Sequence, residues 1–295
     1  MPSGILPIHK PSGISSFDVI RNLKRSIGKV WKDLKIGHGG TLDPLASGVL
    51  TILVGEATKA FDFLLASDKT YHAVIQLGSD TDTDDSDGKI IKTYDKKADE
   101  AVIRSLLPRF SGMISQVPPR YSALKIDGKR SYDLARNNIE MEIKPRTVEV
   151  KEIKLLSFNP DRQELHISVR CSSGTYIRSI ARDIGKEAGC GGHIKGLIRT
   201  KACGISIEGC HLIDSITPDN WIQLLIETNK SLEFLPFLSL KQDASFIFQG
   251  RKLPDSLFSE TPFTAPIYRI LKDNKLLALV ERKDNQFRYL RVFNE

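Results

Sequence analysis

Cysteine is scarce in this chain. Only Cys171, Cys190, Cys203 and Cys210 occur among 295 residues, and none forms a Cys-x-x-Cys pair. That leaves no disulfide framework and no dithiol redox motif. Cys190, His193, Cys203, Cys210 and His211 lie near one another in sequence, but their spacings fit no common zinc finger. Long apolar runs are missing too. No stretch approaches the roughly eighteen apolar residues of a membrane-spanning helix. The opening Met-Pro-Ser-Gly-Ile-Leu-Pro-Ile-His-Lys lacks a charged-then-apolar leader, so a cytoplasmic protein is expected. No glycine-rich segment ends in the Lys-Ser/Thr of a phosphate-binding loop, and none has the dinucleotide spacing. Neither a cofactor nor a metal is expected.

What is present is a basic, globular composition. The hydrophobic fraction is 40% and the net charge +7. A basic excess suits an anionic partner such as nucleic acid. Arg21, Lys24, Arg25, Lys29, Lys32 and Lys35 crowd one stretch, with only Asp33 opposing. Arg120, Lys125, Lys129, Arg130 and Arg136 form a second, interleaved with Tyr121 and Tyr132. Aromatics among cations suit unpaired RNA bases, which stack on such rings. Each stretch also reads as a plain solvated surface.

The pattern along the chain predicts mixed α/β (α+β) architecture. Ile5–His9 reads as a strand, and Ser15 or Ser16 caps a helix carrying Val19, Ile20, Leu23 and Ile27 on one face. Val49–Val54 reads as a buried strand, and Ala57, Ala60, Phe61, Leu64 and Leu65 recur at helical spacing. Tyr71 opens an alternating strand. Asp80, Asp82, Asp84, Asp85 and Asp87 suggest a calcium loop, but Asp85 and Ile91 stand where that loop needs Gly and Glu. An exposed turn is expected there. A helix is expected over Val102–Phe110 and strands over Val148–Phe158 and Leu165–Cys171. A further helix opens at Ser173-Gly174-Thr175. Residues 116–146 read as an insertion of weak periodicity. Past residue 232, Pro236, Pro254, Pro262 and Pro266 punctuate short apolar runs, as in a small β-rich domain.

One segment carries chemistry: Gly37-His38-Gly39-Gly40-Thr41-Leu42-Asp43-Pro44-Leu45-Ala46-Ser47-Gly48. Its four glycines allow sharp turns and the close approach of a flat ligand. Pro44 biases Asp43 toward an extended conformation. A lone carboxylate so placed suits nucleophilic catalysis better than paired acid–base work. Asp43 as the cap of a helix starting at Pro44 fits the spacing equally well.

The segment resembles the motif of the TruB-type tRNA pseudouridine synthases, with Gly39 where Thr is usual and Ser47 where Thr often appears. Other segments agree in order and spacing from about residue 4 to about residue 215. They are Lys10-Pro11-Ser12-Gly13, Asp68-Lys69-Thr70-Tyr71, Pro118–Lys125 with Gly128-Lys129-Arg130 and Tyr132, Gly174–Ser179, and Gly192-His193 with Leu197 and Arg199. The resemblance implies a catalytic domain over residues 1–232 built on a mixed sheet, with residues 116–146 as an RNA-contacting insertion. It implies a small PUA-like domain over 233–295.

It implies catalytic roles for three residues. Asp43 is the nucleophile, Arg178 stands beside it, and Tyr71 stacks on the target base. An arginine there would hold the carboxylate in bidentate fashion. It assigns His38, Tyr176, Leu197 and Lys10 to substrate binding, with Lys10 positioning the loop or touching phosphate. The implied substrate is the T arm of tRNA, with uridine at position 55 isomerised after base flipping. No membrane and no obligatory protein partner is implied, and a monomer suffices. A tRNA-binding or RNA-folding protein with little enzymatic role fits the basic stretches equally well. A hydrolase using Asp43 has no support from them.

Overall fold

The computed structural model describes residues 1–28, 31–122, 143–259 and 263–294, with backbone alone at 125–126 and 129–130. β1 (Gly4–Lys10) is almost wholly buried, and α1 (Ser16–Ile27) follows it. α1 turns Val19, Ile20, Leu23 and Ile27 into the core, as its spacing demands. Its start is a reciprocal cap. Ser15 accepts from the Asp18 backbone N–H, and Asp18 accepts from that of Ser15.

β2 (Ile36–His38) and β3 (Ser47–Val54) flank the glycine-rich segment. β3 pairs antiparallel with β1 along its length. A 3₁₀ turn leads into α2 (Phe61–Ala66), then β4 (Lys69–Leu77) and the hairpin of β5 (Ser79–Thr81) and β6 (Ile90–Thr93). α3 (Glu100–Leu106) precedes β7 (Gly112–Gln116). A small backbone hairpin pairs β8 (Lys125–Ile126) with β9 (Lys129–Arg130). The side chains of Lys125, Lys129 and Arg130, together with Tyr132 and Arg136, lie outside the described residues.

β10 (Arg146–Asn159), β11 (Glu164–Cys171), α4 (Ile177–Ala188) and β12 (Gly192–Ala202) complete the centre. β13 (Ile205–Ser206) and β14 (His211–Leu212) are short. The resulting mixed sheet runs β14-β1-β3-β12-β4-β11-β10-β7, with β2 on β3 and β13 on β12. β12 is parallel to β3 and antiparallel to β4. It is the strand that joins the two halves of the sheet. One apolar cluster gathers α1, α4 and the inward residues of β3, β4, β11 and β12.

A second sheet, β15 (Phe237–Ser239), β16 (Ile267–Lys272), β17 (Lys275–Lys283) and β18 (Gln286–Val292), follows in the order β15-β16-β17-β18. It has its own core around Phe258, Ile270 and Val280. It is also joined to the first sheet, because one buried cluster contains Ile5, Val49 and Leu53 together with Leu271, Leu276, Leu279 and Phe293. Among the described residues no helix is long and apolar enough to cross a membrane.

Two expectations need correction. The first helix expected after Ser173 starts only at Ile177, because residues 172–175 form a turn with Thr175 N–H donating to Ser172 O. The acidic stretch is not an exposed turn. Thr81 and Asp85 are buried, and the segment is docked on β12: Ile194 N–H donates to Asp84 O and Ser86 N–H to Ile194 O. Several of its carboxylates have protein partners. Asp80 accepts from Gly192 N–H at 3.0 Å, and Asp84 pairs with Arg182 at 2.9 Å.

Candidate active site

Asp43 sits in the loop between β2 and β3, and that loop is held almost entirely through its backbone. Gly39 N–H donates to Thr51 O at 2.8 Å. The Ser16 hydroxyl, on α1, accepts from Leu42 N–H at 2.9 Å and donates to Leu42 O at 3.1 Å. Pro44 O accepts from Gly13 N–H, and Leu45 O from the Ser12 hydroxyl, both at 2.8 Å. Leu42 and Ala46 are buried and pin the loop from beneath. No helix begins at Pro44, so Asp43 caps nothing and its carboxylate is available.

That carboxylate is 36% exposed, and its Oδ2 lies 2.9 Å from Arg178 Nε. The contact is an ion pair rather than an aligned hydrogen bond. It also replaces the bidentate grip expected from sequence. The other guanidinium nitrogens are occupied: Nη1 donates to Thr83 O at 3.0 Å and Nη2 to Tyr121 O at 2.9 Å. Nη1 is 3.4 Å from Asp85 Oδ2. Arg178, buried at the first turn of α4, thus stands between two carboxylates. It also joins the Asp43 loop to the β5–β6 hairpin and to Tyr121.

A cavity of about 360 Å³ opens above Asp43, within the range of small-molecule sites. Tyr71, Tyr176, Leu197 and Arg178 line it, together with Lys69 and Arg199. Burial pushes the Tyr71 phenol up from its ordinary pKa, against the pull of Arg199. Tyr71 is therefore a neutral wall at neutral pH. Tyr176 is fixed at both backbone groups by the Gln116 amide, at 2.8 and 3.0 Å. The Arg146 guanidinium lies 4.6 Å from the centre of its ring.

Two residues assigned to substrate lie elsewhere. Lys10 is fully buried, and its ammonium donates to Pro11 O, Ile14 O and Pro44 O at 2.8, 2.6 and 3.3 Å. Those bonds suit loop positioning and leave no donor to meet a phosphate. Burial lowers its pKa to about 8. His38 pairs with Ile52 in the β2–β3 ladder and does not line the cavity. Burial, reinforced by Arg199, lowers its pKa.

Arg199, Lys69 and Asp85 belong to the site without having been singled out as site residues from sequence. Lys69 is buried and donates to Leu65 O and, at 2.6 Å, to Ser67 O. Arg199 on β12 and Lys69 on β4 are both buried, which their charge gives no reason to expect from sequence. Among the described residues, no group of three or more His, Cys, Asp or Glu is placed to hold a metal ion.

Residues 25–177 match the TruB family pseudouridylate synthase (N terminal domain). The chain is 38% identical over 295 residues to the tRNA pseudouridine synthase B of Clostridium kluyveri, covering 98% of this chain and 99% of that one. It is 40% identical over 307 residues to the enzyme of the same name from Rhodospirillum rubrum, covering 99% and 96%. In fold it resembles a Cbf5-Nop10-Gar1 complex chain, with a TM-score of 0.72 and 23% identity over 99% of this chain and 84% of that one. The resemblance seen in the motifs thus extends over nearly the full length, and the chain belongs to the TruB family of pseudouridylate synthases.

Proposed function

We propose that the chain isomerises uridine to pseudouridine in tRNA, at position 55 of the T arm, with Asp43 as the nucleophile. The observation that carries this reading is the Asp43–Arg178 pair at 2.9 Å on the floor of a cavity walled by Tyr71, Tyr176 and Leu197. The names of the curated relatives support the class of reaction and the tRNA substrate.

The chemistry follows from the geometry. A uridine in a stacked loop cannot reach a recessed carboxylate, so the nucleotide must be extruded. Aromatic and apolar walls offset the lost stacking. Asp43, in a loop that main-chain bonds hold rigid, meets the flipped nucleotide without reorganising. Its carboxylate attacks either the anomeric carbon or the uracil ring. The N1–C1′ bond breaks, C5 bonds to C1′, the bond to Asp43 breaks in turn to restore the carboxylate, and the hydrogen lost from C5 is matched by one gained at N1. The two basic stretches supply phosphate contacts, which make binding salt-sensitive. We also propose that residues 1–232 form the catalytic domain, that 233–295 assist RNA binding, and that one chain suffices.

The test is pseudouridine formation on an unmodified T-arm hairpin, wild type against Asp43→Asn. Product from the wild type alone, with both proteins binding, supports the reading. Equal product from both removes Asp43 from the mechanism. Salt-sensitive binding without product from either identifies a tRNA-binding protein instead.

A further inference from the structure

Among the described residues Arg199 is the most deeply buried arginine, at 1% exposed. Its Nε donates to Val49 O at 2.7 Å, Nη1 to Thr41 O at 3.2 Å and Nη2 to Gly40 O at 3.1 Å. All three partners are carbonyls. Among the described residues Arg199 has no carboxylate within ion-pair distance, whereas Arg178 next to it has two. A buried cation without a counter-ion is costly to a fold. An apolar side chain of similar length would fill the same space but leave the three carbonyls without their donors, so filling space alone does not explain why a charge is there.

What the charge faces does explain it. Gly40 and Thr41 lie just ahead of Asp43, so two of the three bonds fix the main chain that carries the nucleophile. Arg199 and Tyr71 are cross-strand partners on β12 and β4, and both line the cavity. The guanidinium also acts on the Tyr71 phenol, opposing the effect of its burial. One rigid fork therefore binds the loop that carries Asp43 from a strand position directly opposite Tyr71.

Resting on the isomerase reading above, we propose that Arg199 is a positioning residue for the reaction. Its guanidinium fixes the carbonyls ahead of Asp43 and presents its charge to Tyr71. Nucleophile and phenol thereby keep a set separation across the cavity. Arginine fits because its planar fork spans several acceptors at once, while lysine offers a single point charge.

The experiment compares the full-length wild type with Arg199→Met and Arg199→Lys, in steady-state kinetics on an unmodified T-arm hairpin and in thermal unfolding. KM is expected within about twofold of wild type in both variants. In Arg199→Met, kcat is expected to fall roughly 100-fold, as for a misplaced catalytic group. Arg199→Lys should recover part of that loss by keeping the charge. If Arg199→Met does not fold, the same split of KM and kcat in Arg199→Lys carries the test. A folded Arg199→Met with wild-type kcat overturns the proposal. So does a loss confined to KM, or one that follows the unfolding temperature equally in both variants, since either assigns Arg199 to the fold alone. A wild-type protein that forms no pseudouridine overturns the isomerase reading itself, and this proposal with it, before any variant is compared.

Discussion

Gly48 and Lys10 show how tightly single residues bound the site. Gly48 has φ +105°, and a Cβ there would lie 2.2 Å from Arg199 O and 2.8 Å from Arg199 N. Both neighbours are backbone, so no rotamer change relieves them. Gly48→Ala is expected to destabilise the fold by about 3 kcal/mol, through strain at positive φ and separation of β3 from β12. Denaturant unfolding measures it, and a loss under about 1 kcal/mol would contradict the account. Lys10 makes a different prediction. Burial lowers its pKa from 10.5 to about 8. Between those values the unfolded chain holds a proton that the folded chain releases, so folding becomes more favourable as pH rises through the window. Relative to Lys10→Met, wild-type stability is expected to gain up to about 3 kcal/mol between pH 8 and pH 10.5. Unfolding curves for both proteins at several pH values measure this. A difference that does not change with pH would contradict it.

Single elements differ in how openly the sequence announces them. α1 was legible because its four core positions fall at helical spacing behind a Ser-x-x-Asp start, and that start is the cap seen in the structure. Ser15→Ala is expected to cost about 1 kcal/mol in stability, read from the shift of the denaturation midpoint. β3 was legible as an unbroken apolar run, which suits a strand covered on both faces. β12 was not read as a strand. Its hydropathy is inverted where it matters, since Ile198 is 38% exposed while its neighbour Arg199 is buried. A pattern search assigns these two to the wrong faces. The β5–β6 hairpin is hidden in the sequence for a related reason. Its aspartates look solvated in sequence, and only the fold shows that Arg178, Arg182 and the Gly192 N–H come from over a hundred residues away, or nearly so, to meet them. At the site, the family motifs pointed to Asp43, Arg178, Tyr71, Tyr176 and Leu197, which the fold brings to one cavity. They also pointed to Lys10 and His38, which do not line it.

At the scale of the whole molecule, the two sheets are not independent. Ile5, Val49 and Leu53 share a buried cluster with Leu271, Leu276, Leu279 and Phe293. Polar contacts reinforce the seam: Lys59 donates to Val292 O at 2.9 Å, Arg291 pairs with Asp62 at 2.9 Å, and Asn294 N–H donates to Glu56 at 2.9 Å. A chain ending at residue 232 would leave this cluster uncovered on the β1–β3 side. It is expected to melt well below the full-length protein and to bind a dye specific for exposed apolar surface. A truncated chain with an unchanged melting temperature would show that the seam contributes nothing to the catalytic sheet.

Gly48, Arg199 and Tyr71 are neighbours across β3, β12 and β4, yet β12 is separated from the other two by well over a hundred residues of chain. Closing so long a loop is slow and is among the last events in assembling such a sheet. A chain with β12 undocked lacks Leu197 and Arg199 from the cavity wall. A chain with β12 docked one residue out of step would present Ile198 or Thr200 in place of the guanidinium. On the positioning role proposed for Arg199, catalytic competence depends on the register of a single strand, and recovery of activity during refolding is expected to lag behind recovery of secondary structure.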